Sequence, residues 1–259
     1  MKTSLSLFLL AAICMVAKAQ TPVSNGTTPP RNVPVPLGSS EASAPLSEAE
    51  LPKVLLIGDS IAGYYAPYVQ REMANRAKVV VVQRKAKKPD GSTNNGMEEI
   101  DEWLASDNWA VIHFNPCLWD IVGVAGSKTG ENRVPIEKYG SNLRALVAKM
   151  KNTGASLVFA TTTPVPYPDV DSHRKPADVI LYNAVAVKIM EESQIHVDDL
   201  YSLALPRLAE IQFPSNVHFF EKGSQYLGKR VVGAIDFMLY LRDQETKKKR
   251  ATESKTGTK

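Results

Sequence analysis

Cysteine is nearly absent from this chain. Its 259 residues include two, Cys14 and Cys117. If a leader is removed after Ala19, only Cys117 remains, which excludes an intrachain disulfide and leaves the fold to rest on its core. No Cys/His cluster has zinc-ligand spacing and no glycine loop is built to cradle phosphate, so neither a metal nor a cofactor is expected. The apolar run near the N-terminus is too short for a comfortable membrane span, and no other segment reaches the roughly 18 apolar residues that one needs. The folded region also lacks a stripe of Lys and Arg interleaved with aromatics, which argues against a nucleic-acid partner. The net charge of +4 owes much to Lys247 to Arg250, Lys255 and Lys259, a terminal cluster carrying little functional weight. There is no internal repeat.

The N-terminus reads as a secretory signal peptide, residues 1–19. Lys2 precedes an apolar stretch from Leu5 to Val16, and Ala17-Lys18-Ala19 supplies an A-x-A cleavage site. A lipid anchor on Cys14 is the competing reading, weakened by bulky Ile13 where a small residue is expected. Residues 20–51 are rich in Pro, Ser, Thr, Gly and Ala without hydrophobic period, and are expected to form a flexible arm. Residues 244–259 are charged and lack large apolar side chains, and are expected to be disordered. One folded domain, residues 52–243, is left. With 44% hydrophobic and 22% charged residues, the chain has enough apolar material for a single α/β core.

Inside the domain, continuous apolar runs at Val54 to Ile57, Val79 to Val82, Val111 to Phe114 and Leu157 to Ala160 predict strands buried on both faces, with Ile195 to Val197 a weaker fifth. Helical segments are predicted between them near residues 62–74, 97–105, 136–151, 178–192 and 223–241. Alternation of this kind implies a parallel sheet of about five strands with helices on both faces. Chemistry is then to be sought just after the strands, at their carboxyl ends.

The first strand runs into Gly58-Asp59-Ser60-Ile61 and a helix, a turn that can present a serine Oγ at the sheet edge. Read alone, Asp59 or Ser60 is equally a helix cap. Near the far end, Asn216-Val217-His218-Phe219 precedes the last helix, where a histidine can return to face Ser60 as a general base; read alone, it is a surface or packing residue. After the third strand, Asn115 lies at the same edge, and its carboxamide can donate to a developing oxyanion. Gly91, after the second strand, offers a backbone N–H for the same purpose or simply forms a turn.

Taken together, the Ser60, Gly91, Asn115 and His218 blocks resemble, in order and spacing, the SGNH (GDSL-like) hydrolases. The stretch from Gly96 to Trp103, followed by Trp109 to Asn115, is similar to a bacterial subfamily whose third block usually reads His-Phe-Asn-x-Gly-Leu-His-Asp. The likeness covers roughly residues 54–232. It implies a three-layer α/β/α flavodoxin-like domain and metal-free hydrolysis of an ester, often an acetyl ester of a carbohydrate. Ser60 would be the nucleophile, His218 the base, and Ser60 N–H, Gly91 N–H and Asn115 the oxyanion hole. Three positions depart from the pattern. Ser215 stands three residues before His218, where the family carries the aspartate that orients the imidazole; Cys117 stands for glycine, and Trp119 for histidine. Trp119 is a candidate sugar-stacking wall. Asp120 is expected to fix its loop, and Asp198 or Asp199 to replace the missing acid or merely to begin a helix. His113 and His196 are expected in the core, and His173 in the cleft or in solvent. The implied partner is an ester substrate. Two other readings remain: a catalytically silent glycan or partner binder using the same cleft, and an esterase acting on lipid-like acyl chains.

Overall fold

The computed structural model of the chain describes residues 51–82, 91–124, 130–166 and 173–256, with side chains to residue 253. The expected signal peptide and nearly all of the arm lie outside these residues. Five strands, β1 (Lys53–Ile57), β2 (Lys78–Val81), β3 (Val111–Phe114), β4 (Ser156–Ala160) and β5 (His196–Asp198), form one parallel sheet in the order β2-β1-β3-β4-β5. Burial follows that order. Every residue of β3 and the middle of β1 are buried, whereas β2 and β5 at the edges are partly exposed. His196 is therefore half-buried beside Phe237 instead of in the core, because β5 has no neighbour on its outer side.

Helices α1 (Ser60–Met73), α2 (Thr93–Ala105), α3 (Ile136–Lys151), α4 (Pro176–Glu192), the short α5 (Leu200–Ala204) and α6 (Leu208–Ile211), and α7 (Glu221–Thr256) complete the three layers. α1 packs against α7, while α2, α3 and α4 pack side by side in succession. The stripe Ile61, Ala62, Tyr65, Ala66, Val69 and Met73 turns one face of α1 inward at helical spacing. The close α1–α7 crossing depends on Gly228, where a Cβ would lie 2.8 Å from the Tyr68 ring.

The charged segment from Gln244, expected to be disordered, continues α7 to Thr256. Its Gln, Glu, Lys and Arg residues are good helix formers, the Asp243–Lys247 ion pair spans one turn at 2.6 Å, and the already folded first half of α7 removes the cost of nucleation. Residues 242–253 are all exposed. No helix among the described residues is long and apolar enough to cross a membrane.

The strand order reverses between β1 and β3. That places the ends of β1 and β3, hence Ser60 and Asn115, at the crevice where open parallel sheets bind ligands.

Candidate active site

Ser60 is the first residue of α1, directly after the β1 carboxyl end. Asp59 caps the helix, its Oδ1 accepting from Ile61 N at 2.8 Å, so the capping role falls to the residue beside the serine. Gly58 makes the tight approach possible: a Cβ there would stand 2.3 Å from the Ala62 Cβ.

His218 returns to the serine on a small hairpin. Gln212 and Phe219 form an isolated antiparallel bridge, Phe213 N donates to His218 O at 3.0 Å, and Gln212 Nε2 donates to Pro164 O and Val217 O. The tip is a four-residue turn closed by Asn216 N to Phe213 O at 3.3 Å, with Pro214 second and Ser215 third at φ 54°. Proline second and a left-handed residue third is the pattern of a type II turn.

The turn brings His218 Nε2 to 2.9 Å from Ser60 Oγ and Nδ1 to 2.7 Å from Asn216 Oδ1. The group on Nδ1, expected to be replaced at Ser215, is thus the amide of Asn216, one residue closer to the histidine. Ser215 is occupied with the turn. The tautomer follows from a third contact: His218 N donates to the same Oδ1 at 2.9 Å. A backbone N–H can only donate, so this atom is the amide oxygen, Nδ1 carries the hydrogen, and the Nε2 lone pair faces the serine hydroxyl. The Tyr64 ring, one turn along α1 from Ser60, has its centroid 5.3 Å from that of His218 and is 57% exposed.

Neither Asp198, the last residue of β5, nor Asp199 reaches this pair. Asp199 caps α5, accepting from Ser202 N at 3.0 Å, and also accepts from Thr161 Oγ1 at 2.9 Å. Asp198 is fully buried between His113 Nε2 at 3.3 Å and Arg230 Nε at 2.7 Å. Burial by itself would raise its pKa, but His113 and then Arg230 hold it below the usual aspartate value.

Asn115 Nδ2 donates to Ala160 O at 2.7 Å, which fixes the carboxamide plane and leaves one of the two amide hydrogens for another acceptor. Asn115 and Gly91 line one cavity together with Gly58. Gly91 is placed by its neighbour Thr93, whose N–H and hydroxyl both bond the buried Asp120 carboxylate at 2.5–3.1 Å. Asn142 Nδ2 reinforces this by donating to Thr93 Oγ1 at 3.1 Å. Asp120 thus has the loop-fixing role expected of it, reaching across to the start of α2.

Cys117 is buried with φ 149°, a backbone conformation that favours glycine. Burial, and next the Asp120 charge, push its thiol far above the usual range, so it is no nucleophile. Trp119 is half-buried, with the guanidinium groups of Arg133 and Arg174 over its ring at 5.1 and 6.0 Å. His173 is exposed. Among the described residues, no group of three His, Cys, Asp or Glu side chains is placed to hold a metal ion. The residue missed from the sequence was Asn216. Its signal was present, since an Asn two residues before a candidate base is near enough to reach the ring, but only the turn at Ser215 folds it back.

No protein-family model and no curated protein matches the chain. Solved structures do. An acetyl xylan esterase, AlAXEase, superposes with a TM-score of 0.56 at 14% identity, covering 71% of this chain and 99% of that one. A lipase/acylhydrolase from Enterococcus faecalis gives 0.58 at 15%, covering 71% and 95%. An acetylxylan esterase from Geobacillus stearothermophilus gives 0.56 at 18%, covering 70% and 92%. At such identities the shared property is the fold, the three-layer α/β/α arrangement of these hydrolases.

Proposed function

We propose that the protein is an exported serine ester hydrolase acting on O-acyl esters, chiefly O-acetyl groups on carbohydrate. The observation that carries this reading is the Ser60 Oγ to His218 Nε2 contact of 2.9 Å, with Nδ1 fixed by Asn216. Ser60 Oγ attacks the ester carbonyl carbon while His218 Nε2 takes its proton. The negative charge collects on the carbonyl oxygen, which Ser60 N–H, Gly91 N–H and the second Asn115 amide hydrogen are suited to receive. The carbon–oxygen bond to the alcohol then breaks, and the imidazolium protonates the departing oxygen. Water attacks the acyl-serine, gives its proton to His218, and the carboxylic acid leaves as Ser60 recovers its hydrogen.

Asn216 supplies orientation and tautomer but no charge, so the imidazolium is stabilised less than beside a carboxylate. Such a site is best matched to alkyl and aryl esters and poorly to amides, whose leaving group demands more of the acid. Carbohydrate as the alcohol is supported by Tyr64, an exposed aromatic beside the base on which a sugar ring can stack; the Trp119 ring, engaged by Arg133 and Arg174, is the other candidate wall. A preformed nucleophile–base pair favours an enzyme over a silent binder in the same cleft. Export rests on the leader read in residues 1–19.

The test is hydrolysis of a chromogenic acetate by the purified protein, with acetylated xylan as the polymer substrate. The reading expects turnover that Ser60→Ala removes. Equal rates from both proteins would overturn it.

A further inference from the structure

Where α7 crosses the open side of β5, a cavity of about 460 Å³ opens on the flank of the domain. Its size falls within the roughly 300–1,000 Å³ of small-ligand sites. His196, the first residue of β5, forms one wall, so the cavity sits toward the amino end of the sheet, away from Ser60 and His218 at the carboxyl edge. The rest comes from one face of α7: Lys229, Arg230, Gly233, Ala234 and Phe237. None of these lining residues is acidic. Arg230 gives its Nε to the fully buried Asp198 at 2.7 Å, which fixes the guanidinium plane. Its side chain is still 48% exposed, and its Nη groups have no protein partner among the described residues. A fork held in this way is matched to a planar carboxylate, which it takes by two parallel hydrogen bonds. Lys229 beside it is exposed and pairs with no carboxylate among the described residues, so Asp198 does not cancel the positive charge of the cavity. Phe237 is 47% exposed, its ring backed by that of His196 with centroids 5.5 Å apart. An aromatic ring presented to solvent beside cations is a platform for the C–H face of a sugar. Gly233 lies between the cations and the ring. Glycine inside a helix is destabilising relative to alanine, and no atom of this chain comes within 4 Å of where its Cβ would stand, so packing does not demand it. Its missing side chain leaves room on the cavity floor.

We propose that this cavity is a second carbohydrate site that holds a uronic-acid unit of an acidic polysaccharide, the carboxylate on the Arg230 fork and Lys229, the sugar face on the Phe237 ring. The proposal rests on the carbohydrate reading of the active site and adds the charge of the polymer. A neutral glycan leaves Arg230 and Lys229 without an anion, and an acidic peptide leaves Phe237 without a sugar face. Binding at this site keeps the protein on the polymer between turnovers and raises the effective concentration of its esters at Ser60.

The experiment titrates the full chain with polygalacturonate, a neutral xylooligosaccharide and polyglutamate, for the wild type, Phe237→Ala, Gly233→Leu and Lys229→Gln, with melting temperatures as the check on folding. Arg230 is left in place because its loss would strand the Asp198 charge in the core. Leucine at position 233 fills the floor and is the better helix former. The wild type is expected to bind polygalacturonate, with affinity lowered at least about tenfold by Phe237→Ala and by Gly233→Leu and about threefold by Lys229→Gln. The xylooligosaccharide and polyglutamate are expected to bind at least about tenfold more weakly than polygalacturonate. No binding of polygalacturonate, or one affinity shared by the wild type and all variants, would overturn the site. Polyglutamate bound as tightly as polygalacturonate would also overturn it, by making the surface a general contact for polyanions. Fluorophosphonate labelling of Ser60 is read separately. If Ser60 labels and the variants do not alter binding, the second site falls and the esterase reading stands; if binding follows the variants and Ser60 does not label, the esterase reading falls and the second site stands.

Discussion

Two histidines on this scaffold are held in opposite ways. His113 in β3 is fully buried, its Nε2 against the Asp198 carboxylate and its Nδ1 without a partner among the described residues. His218 is half-buried on a hairpin at the sheet edge, its Nδ1 against the Asn216 amide and its Nε2 against the Ser60 hydroxyl. The carboxylate–imidazole pair that a serine hydrolase would be expected to display at its nucleophile is instead in the core, locked further by Arg230. A carboxylate beside a histidine is therefore no marker of the reactive one. In the proposed reading the base is distinguished by what its other nitrogen faces, the Ser60 hydroxyl.

The largest effects separate the two sites by what they damage. His218→Ala is expected to lower kcat/KM on an acetate ester by about 10⁴ or more with little change in melting temperature, since the ring is half-buried. Asp198→Ala is expected to do the reverse. Removing one partner of a buried charged network costs about 3 kcal/mol, the lower end of the usual range because Arg230 can turn to solvent while His113 cannot. For a domain of this size that is roughly a 6–12 °C fall in melting temperature, read by calorimetry. A large loss of activity at unchanged stability in Asp198→Ala would break the contrast.

Acid titration sharpens the same contrast. Asp198 has a lowered pKa in the fold, so its contribution to stability is present above the ordinary aspartate range and disappears as pH falls through the lower folded value. Wild-type stability is expected to drop below about pH 4, and Asp198→Asn to flatten that part of the curve. A curve of the same shape in both proteins would contradict the pairing.

Asn216 gives an intermediate effect. Its amide accepts one hydrogen bond from a ring that becomes charged during the reaction, a contact worth about 1.5–3 kcal/mol. Asn216→Ala should lower kcat/KM roughly 10- to 100-fold, and Asn216→Asp should raise it by placing a charge where the imidazolium forms. Ser215→Asp should give no such gain, because that residue forms the turn.

The smallest effect concerns Cys117. Alanine and glycine both lose the buried thiol, but only glycine relaxes the φ of 149°. Cys117→Gly should therefore be more stable than Cys117→Ala by about 1 kcal/mol, the reverse of the usual order. Thermal melts of the two variants decide it.

The strands were legible in the sequence because each carries a local signal, an unbroken apolar run for a strand buried on both faces, and Ser60 stood out because it directly follows one of them; His218, far along the chain, came forward only through the resemblance of the four blocks taken together. What escaped depends on three-dimensional closure. The reach of Asn216 needs a left-handed Ser215. α5 and α6, five and four residues long, are too short to show a period. The half-exposure of His196 follows from β5 being an edge. The C-terminal part of α7 was misjudged for a different reason: its composition excludes a packed core, yet polar residues of high helix propensity extend a helix that tertiary packing has already begun.

The most direct measurement of the central claim, that Ser60 is a nucleophile activated by His218 in a tautomer set by Asn216, is the mass of the intact protein after exposure to a fluorophosphonate. One adduct on the wild type is expected, located at Ser60 by peptide mapping, slowed in Asn216→Ala, and absent in Ser60→Ala and His218→Ala. An unmodified wild type, under conditions that fully label a known serine esterase, would contradict the account, as would an adduct that persists in Ser60→Ala.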